Sequence, residues 1–250
     1  MYSTRSILSN YLYLILTTLL FTSCSASLDL EESESEVTIE KPKDNPANEG
    51  SFTYLALGDS YTIGERVCET CRFPAQLKTE FEAHTQTNLE TEIIARTGWT
   101  TDNLINAISN ADLTSDYDLV TLLIGVNNQY QGRSFSQYKT EFPQLLKTAI
   151  RFAKGNKERV IVVSIPDYAY TPFGQSTTSP QKISQEIDAY NSFAKTKAEE
   201  AGIVFIEITD ITRKGLEDPE LVASDGLHPS EKAYGLFVKR LLPVVKLILK

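Results

Sequence analysis

Five short runs rich in Val, Ile and Leu recur along this chain, at residues 52–57, 89–95, 118–124, 159–165 and 203–208, and helix-forming segments separate them. A strand wetted on one face alternates apolar and polar residues. A strand that is apolar throughout must be covered on both faces. Parallel neighbours also need long crossovers, and the intervening segments are long enough to be helices. Residues 74–84 place Leu77 and Phe81 at helical spacing behind Pro74. Thr101 or Asp102 is expected to cap a helix that buries Leu104, Ile105 and Ile108. Residues 135–154 form a helix that Pro143 should shorten or kink. Residues 166–174 are irregular, 180–201 are helical, and 230–249 form a closing helix. The pattern predicts an α/β fold built on a parallel sheet with helices on both faces.

Ligands on such sheets sit beyond the carboxyl ends of the strands. Three small-residue turns emerge there: Gly58-Asp59-Ser60, Thr97-Gly98-Trp99 and Gly125-Val126-Asn127. The chain has only two histidines, His84 and His228. His84 reads as an exposed residue of the 74–84 helix, whereas His228 sits in Asp225-Gly226-Leu227-His228-Pro229. A hydroxyl nucleophile at neutral pH needs a base, and imidazole is the usual one. Ser60 as nucleophile, His228 as base and Asp225 as its orienting acid therefore form the expected constellation.

Taken in this order, Gly58-Asp59-Ser60-Tyr61, Gly98, Gly125-Val126-Asn127 and Asp225-Gly226-Leu227-His228-Pro229 resemble the sequence blocks of the SGNH, or GDSL-type, hydrolases. The resemblance spans about residues 52–244. It implies a three-layer α/β/α sandwich, flavodoxin-like, with a five-stranded parallel sheet, and it implies no metal and no cofactor. It also implies oxyanion donors at the Ser60 and Gly98 N–H groups and the Asn127 side chain. Asn128 departs from the pattern, since many members carry Asp there. The α/β-hydrolase alternative fits less well, because the Gly-x-Ser-x-Gly elbow is absent. Trp99, Tyr168, Tyr170 and Phe173 are candidates for lining a substrate pocket.

The first 23 residues read as an export signal, with Arg5 ahead of an apolar stretch too short to span a membrane. Leu20-Phe21-Thr22-Ser23-Cys24 resembles the lipobox of bacterial lipoproteins, which implies cleavage before Cys24 and lipidation of that residue. Residues 24–50 are acidic and poor in large apolar side chains, so they are expected to form a flexible tether. Residues 51–250 then form one hydrolase domain. The net charge of −9 argues against nucleic acid as a partner. Cys68 and Cys71 remain. With no second cysteine pair and little histidine, a short disulfide is preferred over zinc, with free thiols as the alternative.

The expectation is a serine esterase of the cell envelope, a monomer held on the outer membrane by its lipid, on the periplasmic or surface side. Short acyl esters are the expected substrates, including acetyl groups on glycans. Lysophospholipid or lipase-type activity, a non-catalytic glycan-binding lipoprotein and a thiol oxidoreductase are the alternatives.

Overall fold

The computed structural model describes residues 50–250. The expected export signal, Cys24 and the tether up to residue 49 lie outside the described residues. The elements run β1 (Phe52–Gly58), α1 (Ser60–Ile63), α2 (Phe73–Thr85), β2 (Leu89–Ala95), α3 (Thr101–Asn110), β3 (Leu119–Leu123), α4 (Val126–Tyr130) and α5 (Phe135–Phe152). The second half adds β4 (Val160–Val163), α6 (Pro172–Gln175), α7 (Pro180–Ala201), β5 (Val204–Ile206), α8 (Thr209–Thr212) and α9 (Glu231–Ile248).

All strand pairs are parallel, in the order β2-β1-β3-β4-β5. The apolar runs explain this arrangement. Every residue of β3 and β4 is buried, as are the last five of β1. The edge strands differ: β2 exposes Glu90 and Glu92, and β5 exposes Val204. On the helical side, α2 packs on α9, while α5 lies between α3 and α7. Leu77 and Phe81 of α2 and Phe237 and Leu241 of α9 belong to the same buried core as Leu145 and Ala149 of α5.

Strand order reverses at β1, whose neighbours are β2 on one side and β3 on the other. Such a reversal opens a crevice beyond the carboxyl ends of the strands. Gly58 pairs with both Ala95 and Leu123, so the segments that follow all three strands leave the sheet at one level.

Several boundaries differ from expectation. Thr100, not Thr101 or Asp102, caps α3, and its N–H donates to Asn103 Oδ1 at 3.2 Å. Pro143 does not end α5, which continues to Phe152. Lys139, whose carbonyl loses its helical donor there, is exposed, and buried Phe142, Leu145 and Leu146 hold the following turns. The segment 166–174 contains a 3₁₀ turn, Tyr168–Tyr170, and the start of α6. Cys68 and Cys71 are joined by a disulfide between α1 and α2.

Candidate active site

The turn that carries Ser60 is built by its own residues. Asp59 caps α1, with Oδ1 accepting the Tyr61 N–H at 3.0 Å, and this sets Ser60 as the first helical residue. Ser60 is only 3% exposed. Gly98 has φ +83°, a left-handed conformation that side-chain-bearing residues avoid, and a Cβ there would stand in open space. Neither the Ser60 nor the Gly98 N–H has an acceptor among the described residues. Asn127, on α4, points its Nδ2 at the Trp99 carbonyl oxygen, 3.1 Å away. Its neighbour Asn128 is fully buried and clasps Thr101, accepting from the backbone N–H at 3.0 Å and donating to Oγ1 at 2.7 Å. A carboxylate could not make that second bond, so the amide ties α4 to α3 in its own way.

Asp225 and His228 come as one local unit. Asp225 Oδ1 accepts the N–H groups of Leu227 and His228, each at 3.0 Å, and Oδ2 meets His228 Nδ1 at 2.6 Å. The carboxyl thus shapes the turn and engages the ring together. With Nδ1 occupied, Nε2 is the nitrogen left for chemistry. Burial works to raise the Asp225 pKa, but the His228 ring and the two backbone donors outweigh it and hold the carboxyl below its usual range. On the other side, Arg66 Nε lies 4.0 Å from Asp225 Oδ2. The Tyr61 ring packs against the imidazole, with centroids 5.3 Å apart.

Ser60, Gly98, Asn127 and His228 line one cleft of about 180 Å³, together with Tyr61, Thr97, Val126, Tyr130, Tyr168, Phe173 and Leu227. Of the expected pocket residues, Tyr168 and Phe173 are therefore at the site. Trp99 and Tyr170 are not. Trp99 packs its side chain on the core and offers only its carbonyl to Asn127. Tyr170 turns outward under the Arg213 guanidinium. His84 lies exposed on α2, does not line the cleft, and its Nδ1 bonds the Glu80 carbonyl oxygen. The Phe173 N–H donates to the Gly226 carbonyl at 2.9 Å, so the aromatic wall and the histidine turn are joined directly.

Sequence reasoning missed two groups. Tyr130 forms an aromatic triad with Tyr168 and Phe173, with centroids 5.9–6.4 Å apart, yet the residue is 55% exposed. Its position three residues after Asn127 was the available signal. Asp59 reads in the sequence as no more than a turn residue of the Gly58-Asp59-Ser60 motif. It is wholly buried, Oδ2 has no hydrogen-bond partner, and burial raises its pKa to about 7. The Tyr61 N–H and the Asn127 amide pull that value back toward normal. Among the described residues, no group of three His, Cys, Asp or Glu side chains is arranged to hold a metal.

The arrangement also has relatives. Residues 56–236 match the GDSL-like Lipase/Acylhydrolase family. Among solved structures, an acetyl xylan esterase variant from Geobacillus stearothermophilus is 18% identical, covering 79% of this chain and 96% of its own at a TM-score of 0.63. A lipase/acylhydrolase from Enterococcus faecalis is 22% identical, with coverages of 80% and 97% and a TM-score of 0.63. The psychrotrophic esterase EstA from Pseudoalteromonas sp. is 17% identical, with coverages of 79% and 98% and a TM-score of 0.56. At these identities the likeness is one of fold. No curated protein sequence matches the chain.

Proposed function

Since this chain belongs to the GDSL-like lipase/acylhydrolase family and is an ester-hydrolysing enzyme, we propose that it cleaves short acyl esters, acetyl groups on glycans foremost, through Ser60, His228 and Asp225. Ser60 Oγ attacks the ester carbonyl while His228 Nε2 takes its proton. The same nitrogen then protonates the departing alkoxide, leaving an acyl-Ser60 ester. Water repeats the sequence, freeing the acid and restoring the serine. Asp225 holds the Nδ1–H tautomer and stabilises the imidazolium. The free N–H groups of Ser60 and Gly98 and the Asn127 amide receive the oxyanion.

The observation that carries this reading is one cleft edged by an unpaired pair of backbone donors, a serine at a helix start and an imidazole oriented by carboxylate. Its size supports a short acyl group. About 180 Å³ falls below the roughly 300–1,000 Å³ of pockets that enclose drug-sized ligands. The exposed face of Tyr130 at its rim suits a sugar ring, which leaves most of a glycan in solvent. The fold-level likeness to an acetyl xylan esterase points the same way. On its lipobox-like segment, the enzyme would be anchored in the cell envelope through Cys24.

A fluorophosphonate probe and a panel of p-nitrophenyl esters, with acetylated oligosaccharides alongside, test the reading. The probe should label the wild type and leave Ser60→Ala unlabelled, and turnover should decline as the acyl chain lengthens beyond butyryl. An optimum on long-chain esters would overturn the substrate assignment, and an unlabelled wild type would favour a non-catalytic glycan binder.

A further inference from the structure

A second, larger cavity lies next to the cleft, between the turn that follows α4 and one face of α7. Its volume is about 360 Å³, against about 180 Å³ for the cleft. Two side chains join the spaces. Tyr168 lines the cleft, and its hydroxyl donates to Gln129 Oε1 at 2.8 Å. Gln129 lines the cavity, and its Nε2 donates to Glu186 Oε2 at 2.7 Å. A flipped amide would set its oxygen against that carboxylate, so the order of the three groups is fixed. Cleft and cavity are therefore a tyrosine and a glutamine apart. Gln129 also stands only two residues beyond Asn127 on α4.

The lining of the cavity selects its ligand. One side is aromatic: Phe135, half-buried, and Tyr190, buried, with ring centroids 4.8 Å apart. The other side is polar and carries both signs. Arg133 and Lys182, both exposed, bring donors. Glu186 brings an acceptor, since its Oε1 lies 3.7 Å from Lys182 Nζ, beyond hydrogen-bond length, and keeps its lone pairs for a ligand. An anion would meet Glu186, and a cation would meet Arg133 and Lys182. A wholly apolar molecule would leave the polar side without partners. A neutral ring with one apolar face and a hydroxyl edge matches both sides, and that is the shape of a sugar.

We infer that this cavity is a glycan subsite, taking a neutral sugar close to the one that carries the acyl group. The inference rests on the glycan esterase reading and narrows its substrate to an acylated oligosaccharide held at two places. The cleft admits little more than the acyl group, and the larger cavity holds what the cleft cannot. Binding there, away from the reacting carbonyl, positions the ester against Ser60.

Xylotetraose, cellotetraose and mannotetraose, all without acyl groups, serve as neutral probes, with trigalacturonate as the acidic one and xylose as the single sugar. Each is titrated into the nitrogen-labelled wild type and followed through its amide resonances. At least one tetraose should shift the backbone amides of Arg133, Phe135 and Ala189 and bind about 10-fold tighter than xylose. Ala189→Trp, which fills the cavity, and Arg133→Ala should each weaken that binding about 10-fold. Both positions are exposed, and circular dichroism selects the folded variants, so either one suffices. With the acetylated form of the same tetraose, Arg133→Ala should raise KM about 10-fold while kcat stays within about 2-fold, the signature of binding shared by ground and transition states. Unmoved amides around the cavity, tighter binding of trigalacturonate, or variants that bind as the wild type does would overturn the subsite. A wild type that binds a tetraose there yet turns over no ester would uphold the subsite and refute the esterase reading.

Discussion

Asp59 and Asp167 are both wholly buried, and both start a short helical turn just after a strand of the sheet. Their surroundings are opposite. Asp167 is fully served: Arg213 Nε donates to it at 2.9 Å, Ser184 Oγ at 2.5 Å and the Ala169 N–H at 3.0 Å. It locks the segment that carries Tyr168 to α7 and α8. Asp59 has one backbone donor and an orphaned oxygen. A saturated buried carboxylate is architecture. An unsatisfied one beside the proposed nucleophile is the kind of place where stability is given up for a site.

The comparison breaks outright if the unsatisfied side carries no chemistry. Asn127→Ala, which removes the proposed oxyanion amide, should lower kcat by about 10²–10³-fold with a smaller effect on KM. Steady-state kinetics checks this, and a change confined to KM would make Asn127 a ground-state contact. Next in size is the saturated side. Asp167→Asn strips Arg213 of a buried partner and should lower unfolding free energy by about 2–3 kcal/mol. That is less than the roughly 3–5 typical of wholly enclosed pairs, because Arg213 retains solvent and Asp188. Urea denaturation reads the difference, and an unchanged midpoint would remove the contrast.

The smallest effect has the opposite sign. Asp59 holds its proton more tightly in the folded protein, at about 7, than at the ordinary 3.8 of an aspartate. Its stabilising contribution is therefore complete below about pH 4 and is lost as the pH climbs through about 7. Asp59→Asn, which removes the charge, should stabilise the fold by about 1–2 kcal/mol near pH 8 and by less near pH 5. Urea midpoints at the two pH values check it. Destabilisation at both would place Asp59 in the same class as Asp167.

Much of this was legible in one dimension. The five apolar runs became the five strands, and the long helices kept their limits to within two residues at most ends, because burial dictates both periodicities. The shorter α1, α4 and α8 escaped notice. Four or five residues are too few to show a helical period, and their caps, such as Asp59, look like ordinary turn residues. The pocket was half legible. Four aromatic candidates sat near the right turns, but Trp99 and Tyr170 do not line the cleft, and which way a loop side chain points depends on packing that sequence does not record.

The sequence by itself determined the parallel sheet, the order of its motifs and the pairing of Asp225 with His228. Each is local, set by apolar periodicity or by contacts three residues apart. Only the tertiary structure decided that Asp167 would find Arg213, 46 residues on, while Asp59 would be wholly buried with one oxygen bare. Two aspartates with the same intrinsic chemistry acquire different roles because the donors that reach them come from distant elements, and the crossing of those elements at the sheet edge is set by the packing of the whole core.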